Sequence, residues 1–136
     1  MKKTLLTLIT ICTTLIASAQ FSVVSSISIP EEGEEIKFKD ITDNIGIGYE
    51  INDQIMAGVV KNGENYDLFG RYYFENIYVS LQAPTEETTE NMNIGVGYAF
   101  NIWDKLYIEP NYSIPTKEDE NGDREGKFLI GVSYKF

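Results

Sequence analysis

Four charged residues occupy the polar faces of otherwise apolar segments, and these are the first candidates for chemistry: Glu50, Arg71, Glu109 and Lys135. Two carboxylates could act as the acid and the base of a glycosidase, or belong to a proton path. The two acids are balanced by two bases, however, and a charge inside a protein is tolerated only when it is paired. We therefore predict a structural polar plug instead of a catalytic pair. Its hydrogen bonds are expected from Tyr73, Tyr107 and Asn111.

The composition excludes several kinds of site. The chain has no histidine, and its only cysteine is Cys12. Ser-His-Asp triads, histidine general bases, histidine-ligated zinc and cysteine metal sites are therefore excluded. The sequence predicts no catalytic residue, no cofactor and no specific metal site. The protein is not expected to be an enzyme.

One motif resembles the start of an EF-hand calcium loop. Asp119, Asn121 and Asp123 have the spacing of the first three ligands. Arg124 stands where that loop needs glycine, and no glutamate follows at the twelfth position. The acidic connections at 30–43, 84–89 and 115–127 are therefore predicted to be solvated loops, at which loose divalent cations could bridge to anionic lipid headgroups.

The first residues have the pattern of a signal peptide. Lys2 and Lys3 precede the apolar run Leu5–Ile16, and Ala17-Ser18-Ala19 has the small-x-small pattern of a cleavage site. We predict that residues 1–19 are cleaved after Ala19, which leaves 20–136 as one domain. The alternative, a transmembrane anchor, would need about 20 apolar residues. Removing two lysines and no acid changes the net charge from −10 to −12, which argues against nucleic acid as a partner.

Large apolar residues alternate with small or polar ones along most of the remaining chain, which is the period of a β-strand with one apolar face. Most segments approach the 9–11 residues or so that a tilted strand needs to cross a bilayer. The third segment departs from strict alternation, because Met56 and Val60 make both of its faces apolar. The eight predicted strands are Phe21–Ile29, Asn44–Ile51, Gln54–Lys61, Tyr66–Phe74, Ile77–Ala83, Glu90–Phe100, Leu106–Ile114 and Phe128–Phe136.

Short and long connections alternate along the chain. The short turns are assigned to Asn52-Asp53, Glu75-Asn76 and Asn101–Lys105, and the longer loops to the connections that alternate with them. This alternation is typical of an up-and-down barrel in an outer membrane, with short periplasmic turns and longer external loops. In the first long connection, Ile36 and Phe38 indicate that the second strand extends toward them. The predicted fold is all-β, an eight-stranded antiparallel up-and-down transmembrane β-barrel.

The contents of the polar face favour an orientation with that face inside. It carries many glycine, serine and asparagine residues, which fit a narrow lumen. The apolar face would then meet lipid, and aromatic residues recur at the same end of alternate strands, as at a membrane–water boundary. This periplasmic girdle is predicted to contain Tyr49, Tyr72, Phe74, Tyr98, Phe100, Tyr134 and Phe136.

From Phe21 to Phe136 the chain resembles the small eight-stranded outer-membrane barrels of OmpX/OmpA type, with a porin-like β-barrel domain. Its last strand is similar to the signal that the barrel-assembly machinery recognises in this class. The residues that carry this resemblance are Phe128, Ile130, Val132, Tyr134 and Phe136. The resemblance implies outer-membrane lipids and that machinery as partners. Barrel enzymes acting on lipid A typically use histidine and serine, so the missing histidine argues against that activity.

The main functional expectation is an exported, monomeric barrel of the bacterial outer membrane, structural or displaying its loops for adhesion or defence, with no open channel. The first alternative is a soluble periplasmic, lipocalin-like barrel that binds an apolar ligand. A second is a barrel hydrolase that uses Glu50, Glu109 or a serine. A third is a narrow pore.

Overall fold

The computed structural model describes residues 1–7, 9–10, 20–29, 32–86 and 91–136. Residues 2–7 and 9–10 are helical. The predicted cleavage site at Ala17-Ser18-Ala19, Cys12 and the predicted start of the sixth strand at Glu90 lie outside the described residues. In the described part of the chain, no helix is both long and apolar enough to cross a membrane.

Nine strand segments and one short helix follow in the described part of the chain. The helix α1 spans Phe38–Thr42. Consecutive strands pair in antiparallel fashion, and β6 and β7 are separated only by Ala99 and both pair with β8, so they form one interrupted strand. The strands are β1 (Gln20–Ser28), β2 (Ile45–Glu50), β3 (Ile55–Asn62), β4 (Asn65–Phe74), β5 (Ile77–Pro84), β6 (Asn93–Tyr98), β7 (Phe100–Trp103), β8 (Leu106–Pro115) and β9 (Lys127–Lys135).

The sheet closes on itself. The strand order runs β6-β5-β4-β3-β2-β1-β9-β8, and β8 returns to β6. The closing seam between β1 and β9 has a continuous register from Ser22 opposite Lys135 to Ser28 opposite Leu129. The prediction of an all-β, eight-stranded, closed antiparallel barrel is confirmed.

The two faces of the strands point as the sequence pattern predicts. On β2, Ile45 and Ile47 are exposed, whereas the intervening Gly46 and Gly48 are buried. The third strand, apolar on both faces, follows the same rule: Met56 and Val60 point into the lumen, and Val59 points out. The apolar part of the lumen consists of Val24, Met56, Val60, Phe69, Tyr73 and Tyr78.

Glycines on β2 and β3 let the wall approach the lumen side chains closely. Gly48 pairs with Gly58, and Gly58 also pairs with Phe69 on β4. A Cβ atom added at Gly58 would meet the carbonyl oxygen of Ile47 and would lie 2.8 Å from Cε1 of Phe69. The Phe69 ring therefore fills the space that the side chain of any other residue at position 58 would occupy.

Three connections differ from their prediction. The connection between β3 and β4, predicted among the longer ones, is only the two-residue turn Gly63-Glu64, so the predicted alternation of short and long connections fails there.

The prediction of a turn over Asn101–Lys105 is also wrong, because the strand continues to Trp103 and only Asp104 and Lys105 turn. Asp104 has a positive φ of 42°, and its carbonyl oxygen accepts a hydrogen bond of 2.7 Å from Nδ2 of Asn101. Asparagine and aspartate commonly mark turns, but here Asn101 stabilises the turn from the strand beside it.

The predicted extension of the second strand toward Ile36 and Phe38 is also wrong. Phe38 begins the helix α1, and the carboxylate of Asp40 accepts a hydrogen bond of 2.9 Å from the backbone N–H of Lys37. A carboxylate that binds a free N–H at a helix start stabilises the helical turn. The remaining strand limits agree with their predictions or differ by one residue, except that the sixth strand begins at Asn93.

Candidate functional site

An ion pair crosses the lumen near the end that carries the short turns. Nη1 of Arg71, on β4, lies 2.7 Å from Oε2 of Glu109, on β8. The other carboxylate oxygen of Glu109 accepts a hydrogen bond of 2.7 Å from the hydroxyl of Ser133 on β9. Glu109 is 2% exposed, so both of its oxygens are engaged inside the protein. Such an arrangement satisfies a buried charge and fixes three strands relative to one another.

Aromatic rings surround the guanidinium of Arg71. Its Cζ atom lies 4.6 Å from the ring centroid of Tyr78 and 5.5 Å from that of Phe69. The hydroxyl oxygen of Tyr73 lies 3.4 Å from Nη1, a long hydrogen bond. A guanidinium over the faces of aromatic rings is stabilised by their electrostatics. A small cavity of about 60 Å³ remains beside Phe69, Arg71 and Tyr78.

A second ion pair lies closer to the turns. Nζ of Lys135 lies 2.7 Å from Oε1 of Glu50, and the side chains are 31% and 10% exposed. The ammonium also lies 4.9 Å from the ring centroid of Tyr107 and 5.7 Å from that of Tyr73. Tyr107 therefore contacts the cation through its ring face. Tyr73 contacts the cations of both ion pairs.

The residues predicted to form the polar plug thus lie around these two pairs. Asn111 completes the set with a hydrogen bond of 3.1 Å from its Nδ2 to the backbone oxygen of Glu109. Ser133, Tyr78 and Phe69 also belong to the plug, although the sequence pattern does not indicate this. Strand alternation places all three on the inner face, but it carries no information on which inner residues meet across the barrel.

The half of the lumen toward the longer connections has a different chemistry. It opens into a cavity of about 320 Å³. The carboxylate of Asp67, 2% exposed, accepts hydrogen bonds there from Nδ2 of Asn62 (2.9 Å) and Nε2 of Gln82 (2.7 Å). The neutral polar side chains that line the cavity are Ser26, Ser28, Asn44, Asn62, Gln82, Asn93 and Ser113.

Aromatic side chains form pairs on the outer surface at the turn end. The ring centroids of Phe21 and Tyr49, which lie on paired strands, are 5.6 Å apart. Three further pairs each consist of two residues from the same segment of chain. Trp103 is 76% exposed at the same end. Those further pairs are Tyr72 with Phe74 (4.7 Å), Tyr98 with Phe100 (4.3 Å) and Tyr134 with Phe136 (5.2 Å).

In the segment that resembles the start of an EF-hand, the side chain of Asp119 binds backbone groups of its own loop. One carboxylate oxygen of Asp119 accepts hydrogen bonds of 2.9 Å from the backbone N–H groups of Asn121 and Asp123. This is the ordinary role of aspartate in a turn. Among the described residues, no group of three or more acidic residues is placed to hold a metal ion.

Comparisons with protein-family models, with curated proteins and with solved structures give no match for this chain. The barrel and its lumen geometry are therefore the observations on which a functional proposal for the protein is based.

Proposed function

We propose that the protein is an integral barrel of the bacterial outer membrane, of structural or surface-interaction type, with no open channel and no enzymatic activity. The observation that carries the proposal is the apolar outer surface. Soluble monomers rarely expose contiguous apolar patches of more than a few hundred Å². Here large exposed apolar side chains occur on seven of the eight strands: Ile47, Val59, Leu68, Val79, Leu81, Ile94, Val96, Ile108, Ile114, Ile130 and Val132.

The aromatic pairs support this location. Tyrosine, tryptophan and phenylalanine rings favour the boundary between lipid and water. In this protein they lie at the end with the short turns, which we assign to the periplasmic side, as in outer-membrane barrels. The closed eight-stranded barrel is also compatible with the OmpX/OmpA-type class, whose partners would be outer-membrane lipids and the barrel-assembly machinery.

The plug supports a non-catalytic role without conduction. Glu50 and Glu109 each lie 2.7 Å from a cation, and Glu109 is buried. A carboxylate held in this way is poorly placed to take a proton from a substrate. The lumen also disfavours a lipocalin-like carrier, because an apolar ligand would meet ion pairs and amides there instead of an apolar cavity.

Heat-modifiable migration tests the proposal directly. The protein is extracted from membranes and run on a detergent gel with and without boiling. A folded outer-membrane barrel resists the detergent, so we expect the unboiled band to migrate differently from the boiled one. Release of the protein by carbonate washing, together with a single band under both conditions, would reject the membrane location.

A matched pair of substitutions tests the same proposal in lipid vesicles. Val96, on the apolar outer surface of the strands, is 50% exposed, and Ile36, in the first long connection, is 55% exposed. We expect Val96→Arg to lower the free energy of unfolding from the bilayer by about 2–4 kcal/mol, because the charge would enter hydrocarbon. We expect Ile36→Arg to change it little. Equal effects of the two substitutions would contradict the proposal.

A further inference from the structure

Asp67 differs from the other buried carboxylates of the lumen, because no cation of the described residues lies beside it. It is 2% exposed, as Glu109 is. The hydrogen bonds to its Oδ2 atom come from two neutral amides, those of Asn62 and Gln82. A buried charge is costly unless an opposite charge compensates it. The negative charge at Asp67 is therefore available to a cation from outside the protein.

The segments of chain next to Asp67 contain no basic residue that could pair with its carboxylate. Residues 62–70 and 82–93 contain Glu64, Glu86, Glu87 and Glu90 but no lysine, arginine or histidine. The basic residue before the first of these stretches is Lys61, whose Nζ lies 3.4 Å from Oδ1 of Asp43. Farther down the lumen, Arg71 is held by Glu109. On the opposite wall, Lys127 lines the larger cavity and is exposed.

A cavity of about 300 Å³ reaches Asp67 from the end with the longer connections. It lies between the start of β4 and the end of β5, and its volume is at the lower limit for small-molecule sites. The side-chain amide nitrogens of Asn62 and Gln82 donate to Asp67, and Asn62 also lines the cavity. The polar residues that line this cavity are Asn62, Asn65, Asp67, Thr85, Glu86 and Asn91.

We propose that this cavity binds the primary ammonium group of a small organic cation, with Asp67 as the counter-charge. An ammonium carries three N–H donors and no acceptor. It can give one donor to the carboxylate and the others to side-chain oxygens of the lining, such as those of Asn62 and Asn65. Calcium takes six to eight oxygen ligands, usually including several carboxylates, which suits one buried carboxylate among amides less well. The acidic connections at this end attract cations toward the mouth.

This site goes beyond the proposed membrane role and depends only on the barrel. The test uses the full chain folded in detergent micelles, with n-propylammonium as the probe and its binding followed by calorimetry. Tetramethylammonium has the charge without N–H donors, and n-propanol has the chain without the charge. We expect saturable binding of n-propylammonium and much weaker binding of both controls.

Two substitutions with the same change of charge locate the site. Asp67→Asn removes the proposed counter-charge, and Asp53→Asn removes one charge from an exposed turn at the opposite end. We expect Asp67→Asn to weaken binding about tenfold or more, because a hydrogen bond to a charged group is lost. We expect Asp53→Asn to leave the affinity unchanged. Equal affinities of the two variants would overturn the proposal.

A measurement on the unmodified protein covers the case in which Asp67→Asn does not fold. In nuclear magnetic resonance spectra, n-propylammonium should shift the side-chain NH₂ signals of Asn62 and Gln82 and leave that of Asn101, at the other end, in place. Shifts at all three, or at none, would overturn the proposal. Tighter binding of Ca²⁺ than of the ammonium at the same signals would overturn the assignment to an organic cation.

Discussion

The two halves of the lumen are built from the same strands but satisfy their polar groups differently. Toward the short turns, Arg71 and Lys135 each meet a carboxylate at 2.7 Å. Toward the longer connections, the side chains are mostly neutral, and the buried carboxylate of Asp67 is held by two amides. Around Arg71 the lumen keeps a cavity of only about 60 Å³, and a separate cavity of about 380 Å³ opens at the short-turn end beside Glu50 and Lys135. Toward the longer connections the lumen has cavities of about 300 and 320 Å³.

This difference shows what ion pairs and neutral polar groups each contribute to the barrel. Charge pairs between strands constrain distance and direction, so they close the lumen and fix the wall. Neutral amides and hydroxyls are less costly to leave beside water, so they can line an open space. A narrow barrel can therefore be closed at the level of the Arg71–Glu109 pair and open to ligands toward its longer connections. The following substitutions test this division, from the largest expected effect to the smallest.

Glu109→Gln should have the largest effect. It leaves the guanidinium of Arg71 buried without a counter-charge, and removing one partner of a buried pair costs about 3–5 kcal/mol. The free energy of unfolding, followed by the fluorescence of the single tryptophan Trp103 during denaturant titration in micelles, should fall by this amount. The double variant Arg71→Met with Glu109→Met should be less destabilised than Glu109→Gln, since no charge is left unpaired. A single variant as stable as the parent would contradict the role of the pair.

Gly58→Ala should have the next largest effect, because it acts on the filled part of the lumen through shape alone. The added methyl group would meet the carbonyl oxygen of Ile47 and the ring of Phe69. Overpacking of this kind costs about 1–3 kcal/mol. Gly70→Ala is the matched control, since the nearest atom to its Cβ would be the backbone oxygen of Met56 at 3.9 Å. Equal unfolding free energies of the two variants would argue against close packing around Phe69.

Lys135→Met should have a smaller effect than Glu109→Gln. Its partner Glu50 is 10% exposed and the lysine side chain 31%, so water compensates part of the loss. A partly exposed pair is typically worth about 1 kcal/mol or less. Denaturant titration should show a loss of this size, with Lys105→Met, on an exposed turn, as the control for a change in net charge. A loss as large as that of Glu109→Gln would contradict the smaller contribution to stability that we expect from the Lys135–Glu50 pair.

Asp67→Asn should have the smallest effect on stability, and it sharpens the comparison most. Asp67 and Glu109 are both 2% exposed, and both substitutions replace a carboxylate by its amide. No described cation loses its partner when Asp67 changes, so we expect a shift of about 1 kcal/mol or less in either direction. Its unfolding free energy, measured beside that of Glu109→Gln, tests whether only one of the halves depends on charge pairing. A loss equal to that of Glu109→Gln would reveal a cation bound to Asp67 in the folded protein.

The alternation of residue types predicted the eight strands and the separation of their two faces, while the small residues of the polar face predicted which face points inward and the strand count with the connections predicted the barrel. Ile47 and Val96 are exposed, and Ser133 and Glu109 are buried, as their positions in the pattern predict. The reason is that strand geometry forces neighbours to opposite faces. The membrane location, the signal peptide and the lack of enzymatic activity remain predictions.

Partnerships across the lumen could not be predicted. Arg71 and Glu109 lie 38 residues apart, on strands that are not neighbours, and their contact depends on the curvature of the whole wall. The role of Ser133 follows from that contact. The helix α1 escaped prediction for another reason: it has five residues, which is too short for a periodic pattern to appear.

The seam between β1 and β9 has a consequence for biogenesis. It joins the first strand of the barrel to the last, with seven consecutive residue pairs. Until β9 is available, β1 has an unpaired edge that could bind any other strand. Completion of the cylinder must therefore be a late event, slowed by the long stretch of polypeptide between its partners. A chaperone that shields the β1 edge before that moment would prevent misassembly more effectively than one that shields any hairpin between them.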